Sequence, residues 1–140
     1  MEWGVVYYRA SDGTVPAEVF LDAAPAKVEA TLLAVLEAVR EAPPPQFSGG
    51  GKWEAMHGTM SGYYEIRVDG PGREHFRLFC MLENGTPDEL EERGFTGPQI
   101  AVINGMSKPH RTEFSDRQYR KNVRELGDDY LSHIPRSIAE

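Results

Sequence analysis

The chain has 140 residues, 40% of them hydrophobic, and a formal net charge of −7, so it can bury one core but not two independent ones. No run approaches the roughly 20 apolar residues of a membrane span, and Met1 to Ala10 lacks the charged, apolar and small-residue order of a signal sequence, so a cytoplasmic protein without a membrane partner is expected. The acidic balance argues against nucleic-acid binding by bulk electrostatics, and the single Cys80, inside the apolar run Phe79 to Leu82, excludes an internal disulfide and reads as core filling.

Trp3 to Arg9 is rich in β-branched and aromatic residues and ends at Ser11-Asp12-Gly13, the pattern of a first strand. Pro16 suits the opening turn of a helix to about Ala23, and Pro25 that of a second to about Glu41. Val28, Leu32, Val35, Leu36 and Val39 recur at helical spacing, which gives this helical hairpin an apolar stripe to bury. Pro43-Pro44-Pro45 stops it, and Ser48-Gly49-Gly50-Gly51 reads as linker.

Strand character follows, weakly at Lys52 to Met56 and strongly from Gly62 to Val68. There the alternation sends Tyr63, Glu65 and Arg67 to one face and Tyr64, Ile66 and Val68 to the other. Asp69-Gly70-Pro71-Gly72 supplies turn chemistry, and Phe76 to Leu82 returns as the hairpin partner, with Arg77 the odd charge in an apolar strand. Glu83 to Pro98 is an acidic insert with a possible helical turn at Asp88 to Arg93, read as an excursion from the sheet edge. Ile100 to Asn104 resumes a strand. Ser115 and Gln118 form a capping box for a last helix of about Asp116 to Leu131. The expected fold is therefore α+β, one domain over 1–140: strand, helical hairpin, small antiparallel sheet, C-terminal helix.

Several chemistries have little support in the pattern. The four histidines, His57, His75, His110 and His133, are scattered without ligand spacing, so no metal or cofactor is expected. The Ser48 to Lys52 segment lacks P-loop spacing, and no serine stands in an elbow motif. Positive charge is concentrated locally instead. Residues 100 to 124 carry six Lys and Arg against two Asp and Glu, whereas residues 83 to 98 carry one against five. Strand alternation can bring Glu65, Arg67, Arg77, Lys108, His110 and Arg111 to one sheet face and its rim. Guanidinium groups there suit a phosphodiester, since they stabilise the charge that builds when a ribose 2′-hydroxyl attacks phosphorus. Glu65, Lys108 or His110 could act as the base, and an exposed aromatic such as Tyr63 could stack on a base. The plainer alternative is that exposed-face arginines are solubilising charges and that Glu65 with Arg67 is a surface pair; only Arg77, in an apolar strand, demands a partner or a function. The expectation is specific: arginines from separate strands converge without carboxylates neutralising them.

The order of elements, Val15-Pro16 opening a helix, Gly62-Tyr63-Tyr64-Glu65-Ile66-Arg67-Val68, Phe76-Arg77-Leu78-Phe79, and Ile103-Asn104-Gly105-Met106-Ser107-Lys108 before the last helix resemble the RelE/HigB superfamily of bacterial toxin-antitoxin toxins, in its phage-derived toxin-like branch. The resemblance covers nearly the whole chain. It implies a RelE-like fold and a metal-independent endoribonuclease that cuts mRNA on the ribosome, held in check by a helix-turn-helix antitoxin. The family's catalytic positions would correspond to Arg67, Arg77, Lys108 and Arg111, and Glu65 stands where relatives can carry a basic residue; with the reading of the residues above, the expected catalytic set is Arg67, Arg77, Lys108 and Glu65, with His110, Arg111 and Tyr63 as substrate contacts. Two other functions compete. One is a toxin fold that binds a protein target such as DNA gyrase, or a degenerate partner-binding module; the other is an RNA-binding accessory domain without cleavage.

Overall fold

The computed structural model describes residues 3–42 and 51–140. The triproline stop and most of the glycine linker lie outside the described residues. Five strands, β1 (Gly4–Tyr7), β2 (Trp53–Ala55), β3 (Tyr63–Asp69), β4 (His75–Glu83) and β5 (Gln99–Lys108), form one sheet in the order β1-β5-β4-β3-β2. The sheet is mixed rather than wholly antiparallel. β1 runs parallel to β5, while the β2/β3, β3/β4 and β4/β5 pairs are antiparallel.

Proline placement sets the helical hairpin. In α1 (Pro16–Ala23), Pro16 occupies the first turn, where its missing N–H costs nothing, and α2 (Ala26–Glu41) begins directly after Pro25. Val28, Leu32, Leu36 and Val39 of α2 are buried against Ile66, Val68, Leu78, Cys80, Ile100 and Val102 of the sheet. Each such side chain stabilises the fold by about 1.5–3 kcal/mol before entropy is charged, so this layer is the chief anchor of the sheet. Cys80 is fully buried here, and burial raises its thiol pKa, as expected of core filling.

The opposite face carries a second layer, Phe79, Ala101, Ile103 and Met106 from the sheet with Phe114, Val123 and Tyr130. It is covered by a C-terminal helix in three parts: α4 (Asp116–Tyr119), a π-helical turn (Arg120–Arg124) and α5 (Glu125–Ser132). The capping box at its start is present, with Gln118 N–H donating to Ser115 Oγ and Ser115 N–H to Gln118 Oε1. A π turn frees a backbone carbonyl. Here Asn122 O accepts from Asn104 Nδ2 at 2.9 Å, and Asn104 lies at the β-bulge where the β4/β5 register shifts between Phe79 and Cys80. The two irregularities fit one another and hold the helix to the sheet.

The acidic segment after β4 contains α3 (Pro87–Glu92), capped by Thr86 and Glu89 in a capping box. It joins two neighbouring central strands rather than leaving a sheet edge. Glu83, at its root, is 4% exposed and is satisfied by Arg136 Nε (2.7 Å), Tyr130 Oη (2.7 Å) and Arg93 Nη1 (3.1 Å). This buried charge network ties α3 and the C-terminal tail to the sheet, at the end remote from the arginine pair described next.

Candidate functional site

The site arises from strand register. In β3, Ile66 and Val68 are drawn into the helical-hairpin layer, so Glu65, Arg67 and Asp69 face the other way. In β4, Phe76 and Leu78 go into the same layer and Arg77 to the opposite face. Arg67 pairs with Arg77 and Arg77 with Met106; Asp69 pairs with His75 and His75 with Lys108. Cross-strand neighbours place their Cβ atoms about 5 Å apart, so Arg67, Arg77, Lys108, His75, Asp69 and Glu65 share one patch. The C-terminal helix covers the Phe79 end of this face through Tyr119, which meets Phe79 and Phe114 edge-on at 5.8 and 5.6 Å. A cleft of about 590 Å³ opens beside it, lined by Lys52, Glu54, Arg67, Asp69, His75 and Arg77, with Thr31 and Val68 behind.

Arg77 is the centre, only 6% exposed. Its Nη1 donates to Phe76 O at 3.0 Å and stands 3.9 Å from Asp69 Oδ1. No other hydrogen bond to a described residue occupies its guanidinium. Burial and then the neighbouring Arg67 depress its pKa, the signature of a cation held out of water beside a like charge. Glu65, half-buried beside both arginines, has its pKa raised by burial, with Arg77 and then Arg67 opposing the rise. Lys108 Nζ lies 4.6 Å from the centroid of the Phe114 ring, and burial followed by repulsion from Arg77 lowers its pKa. Both shifts move a base toward the neutral range where it can exchange protons.

The expected convergence of Glu65, Arg67, Arg77 and Lys108 is therefore present. His110 belongs to the rim, its ring 5.7 Å from that of His75. Arg111 is exposed in the turn after β5, with φ at 63°, and no interaction among the described residues draws it to the patch. Tyr63 is not brought in. It lies at the far end of β3, buried opposite Met81, where its ring closes on Gly127. The expected absence of carboxylates also fails: Arg67 is bound by Glu54 at 3.2 Å and by Glu65 at 3.6 Å. The physical reason is register again, because Glu54 pairs with Glu65 across β2 and β3 and both flank Arg67.

Pattern reading missed the pair His75–Asp69, whose Nδ1 and Oδ1 are 2.6 Å apart and which lines the cleft beside Arg77. The hydrogen bond with His75 is the main cause of the lowered Asp69 pKa. With Nδ1 engaged, Nε2 of His75 is the ring atom left for a proton. The available signal was the turn Gly70–Glu74, which makes Asp69 and His75 opposite residues of a hairpin. Among the described residues, no group of three or more His, Cys, Asp or Glu side chains is placed to hold a metal ion. No helix of the described residues is long and apolar enough to cross a membrane.

A scan against protein-family models and searches among curated proteins and solved structures return no match for this chain.

Proposed function

We propose that this chain is an endoribonuclease that cleaves RNA by attack of the 2′-hydroxyl on the adjacent phosphorus, a cytoplasmic toxin of the RelE/HigB kind acting on mRNA at the ribosome and restrained by a helix-turn-helix antitoxin. The observation that carries the reading is the Arg77 guanidinium, buried beside Arg67, Lys108 and a carboxylic acid of raised pKa, with Nη1 on Phe76 O as its one hydrogen bond to a described residue and its other N–H donors uncommitted among the described residues. Arg77 and Arg67 bind the two non-bridging oxygens of the scissile phosphate. Glu65 as the carboxylate, or Lys108 as the free amine, takes the 2′-OH proton as the 2′-oxygen bonds to phosphorus, and His75, entering as the imidazolium with Nδ1–H held on Asp69, gives its Nε2 proton to the 5′-oxygen as the bond from phosphorus to that oxygen breaks. The products are a 2′,3′-cyclic phosphate and a 5′-hydroxyl, and no co-reactant is needed.

The Arg67–Glu54 pair does not preclude this role. Its side chains are 40% and 48% exposed, and a pair so solvated contributes about 0–1 kcal/mol, a contact that a phosphate oxygen accepting paired guanidinium hydrogen bonds can replace. A phosphate oxygen can therefore take the place of Glu54.

The test uses purified protein, a defined RNA with and without ribosomes, and chelator throughout. New 5′-hydroxyl and cyclic phosphate ends are expected from the unaltered chain and not from Arg77→Met. Intact RNA under both conditions would reject the nuclease reading. The carboxylates on Arg67 also favour a second reading, in which the same face binds a protein target without chemistry; growth arrest with uncut RNA and damaged DNA would select it.

A further inference from the structure

A second pocket, of about 540 Å³, adjoins the cleft between the first turn of α2 and the end of β3. The two share Thr31, Val68 and Asp69, so they form one continuous depression with two chemistries. The cleft presents Lys52, Arg67, His75 and Arg77 against the carboxylates of Glu54 and Asp69; the pocket is mainly apolar, with Pro25, Ala26, Val28, Val68 and Pro71 beside Lys27 and the shared Thr31 and Asp69. A Cβ on Gly70 would come within 2.7 Å of the Phe76 ring and 2.9 Å of Val28 Cγ2, so nothing larger than glycine fits there without displacement. A ligand matching this depression is anionic at one end and flat and apolar at the other, which is the shape of a nucleotide.

We infer that the pocket holds the nucleobase next to the phosphate bound at Arg77, and that it selects bases bearing an exocyclic amino group. The assignment rests on the phosphodiester reading of the cleft. Selectivity comes from the wall common to both pockets. The Thr31 hydroxyl hydrogen already goes to Lys27 O at 2.8 Å, so its oxygen faces a ligand as an acceptor. Asp69 Oδ1 accepts from His75 Nδ1, with Arg77 Nη1 3.9 Å away, and Oδ2 is left without a hydrogen bond to a described residue. Two acceptors on one wall favour the exocyclic amino group of adenine, cytosine or guanine, which offers two N–H donors, over uracil, whose single N3–H donor is flanked by two carbonyl oxygens that would meet the acceptors with lone pairs.

The experiment measures binding of uncleavable 2′-deoxy trinucleotides to the full chain, with adenine, uracil or an abasic unit placed at each position in turn. At one position adenine is expected to bind about fivefold or more tighter than uracil or the abasic unit. Ala26→Phe, on the exposed first turn of α2, is expected to fill the pocket and reduce adenine to the abasic affinity, with an unchanged melting temperature as the check on folding. Equal binding of adenine, uracil and abasic forms at every position, with Arg77→Met still weakening all of them, would overturn the pocket and leave the phosphate site standing. No binding of any form, or binding indifferent to Arg77→Met, would overturn both.

Discussion

Arg77→Met isolates the charge of Arg77 from its bulk. The side chain is 7% exposed and crosses the middle of β4, so alanine would open a cavity, whereas methionine keeps most of the volume. The losses to stability are one hydrogen bond, to Phe76 O, worth about 1 kcal/mol, and a 3.9 Å contact to an Asp69 that is 60% exposed, worth less than about 1 kcal/mol. Against these, a desolvated cation is removed from beside Arg67, which offsets part of the cost. The net change should lie within about 1 kcal/mol, a melting shift of about 3 °C for a chain of this size. Catalysis should fall much further. Removing a preorganised donor from developing charge costs about 3–4 kcal/mol, or 10²–10³ in rate. Single-turnover cleavage of a fluorogenic RNA, set beside calorimetric melting of the same preparation, reads both. A variant that melts as the parent does and cleaves within threefold of it would refute the role given to Arg77.

Glu65 should impose an acidic limb on the rate. Its folded pKa is raised above the usual 4.5, so activity should rise with pH through that higher value, and Arg77→Met, which removes the largest opposing charge, should move the limb upward. The same shift has a stability sign. A carboxyl whose folded pKa exceeds its unfolded one binds more protons when folded, so its contribution falls as pH rises through that window. Glu65→Gln should therefore melt no lower than the parent at pH 7, and a drop of several degrees there would contradict the burial argument. Glu54→Gln removes one of the two carboxylates on Arg67, leaving Glu65, and should tighten RNA binding up to about fivefold at low salt, measured by fluorescence anisotropy; weaker binding would show that Glu54 holds Arg67 in its working position. Glu83→Leu strands Arg93 and Arg136 in a buried network and should cost about 3–5 kcal/mol in urea denaturation, without changing phosphate affinity. Gly127→Ala drives a methyl into the Tyr63 hydroxyl and should destabilise strongly, with Tyr63→Phe restoring part of the loss in a double-mutant cycle.

The parts legible in the sequence are those written in short-range periodicity. Alternation in Tyr63 to Val68, the prolines before α1 and α2, and the Ser115–Gln118 box each fix an element from its own residues. Pairing between distant segments has no such signature. β1, only four residues long, carries nothing that marks β5 as its parallel neighbour. β5 runs on to Lys108, past the Ile100 to Asn104 expected of it and through Gly105. The glycine is there because Phe20 packs where its Cβ would stand. The site divides in the same way. Arg77 stood out because a buried charge in an apolar strand needs a reason, and its alignment with Arg67 followed from the hairpin. Glu65 beside Arg67 follows from β3 alone, whereas Glu54 beside it depends on where β2 docks, and the burial of Tyr63 depends on how far the C-terminal helix extends over the sheet.

The claim on which the functional account depends is that Arg77 and its neighbours break RNA in the cell. Mapping of RNA 5′ ends within minutes of induction addresses it most directly. New 5′-hydroxyl ends across many messages are expected with the unaltered chain and should vanish with Arg77→Met at equal protein level. An end profile identical in the two, or identical to that of uninduced cells, would contradict it.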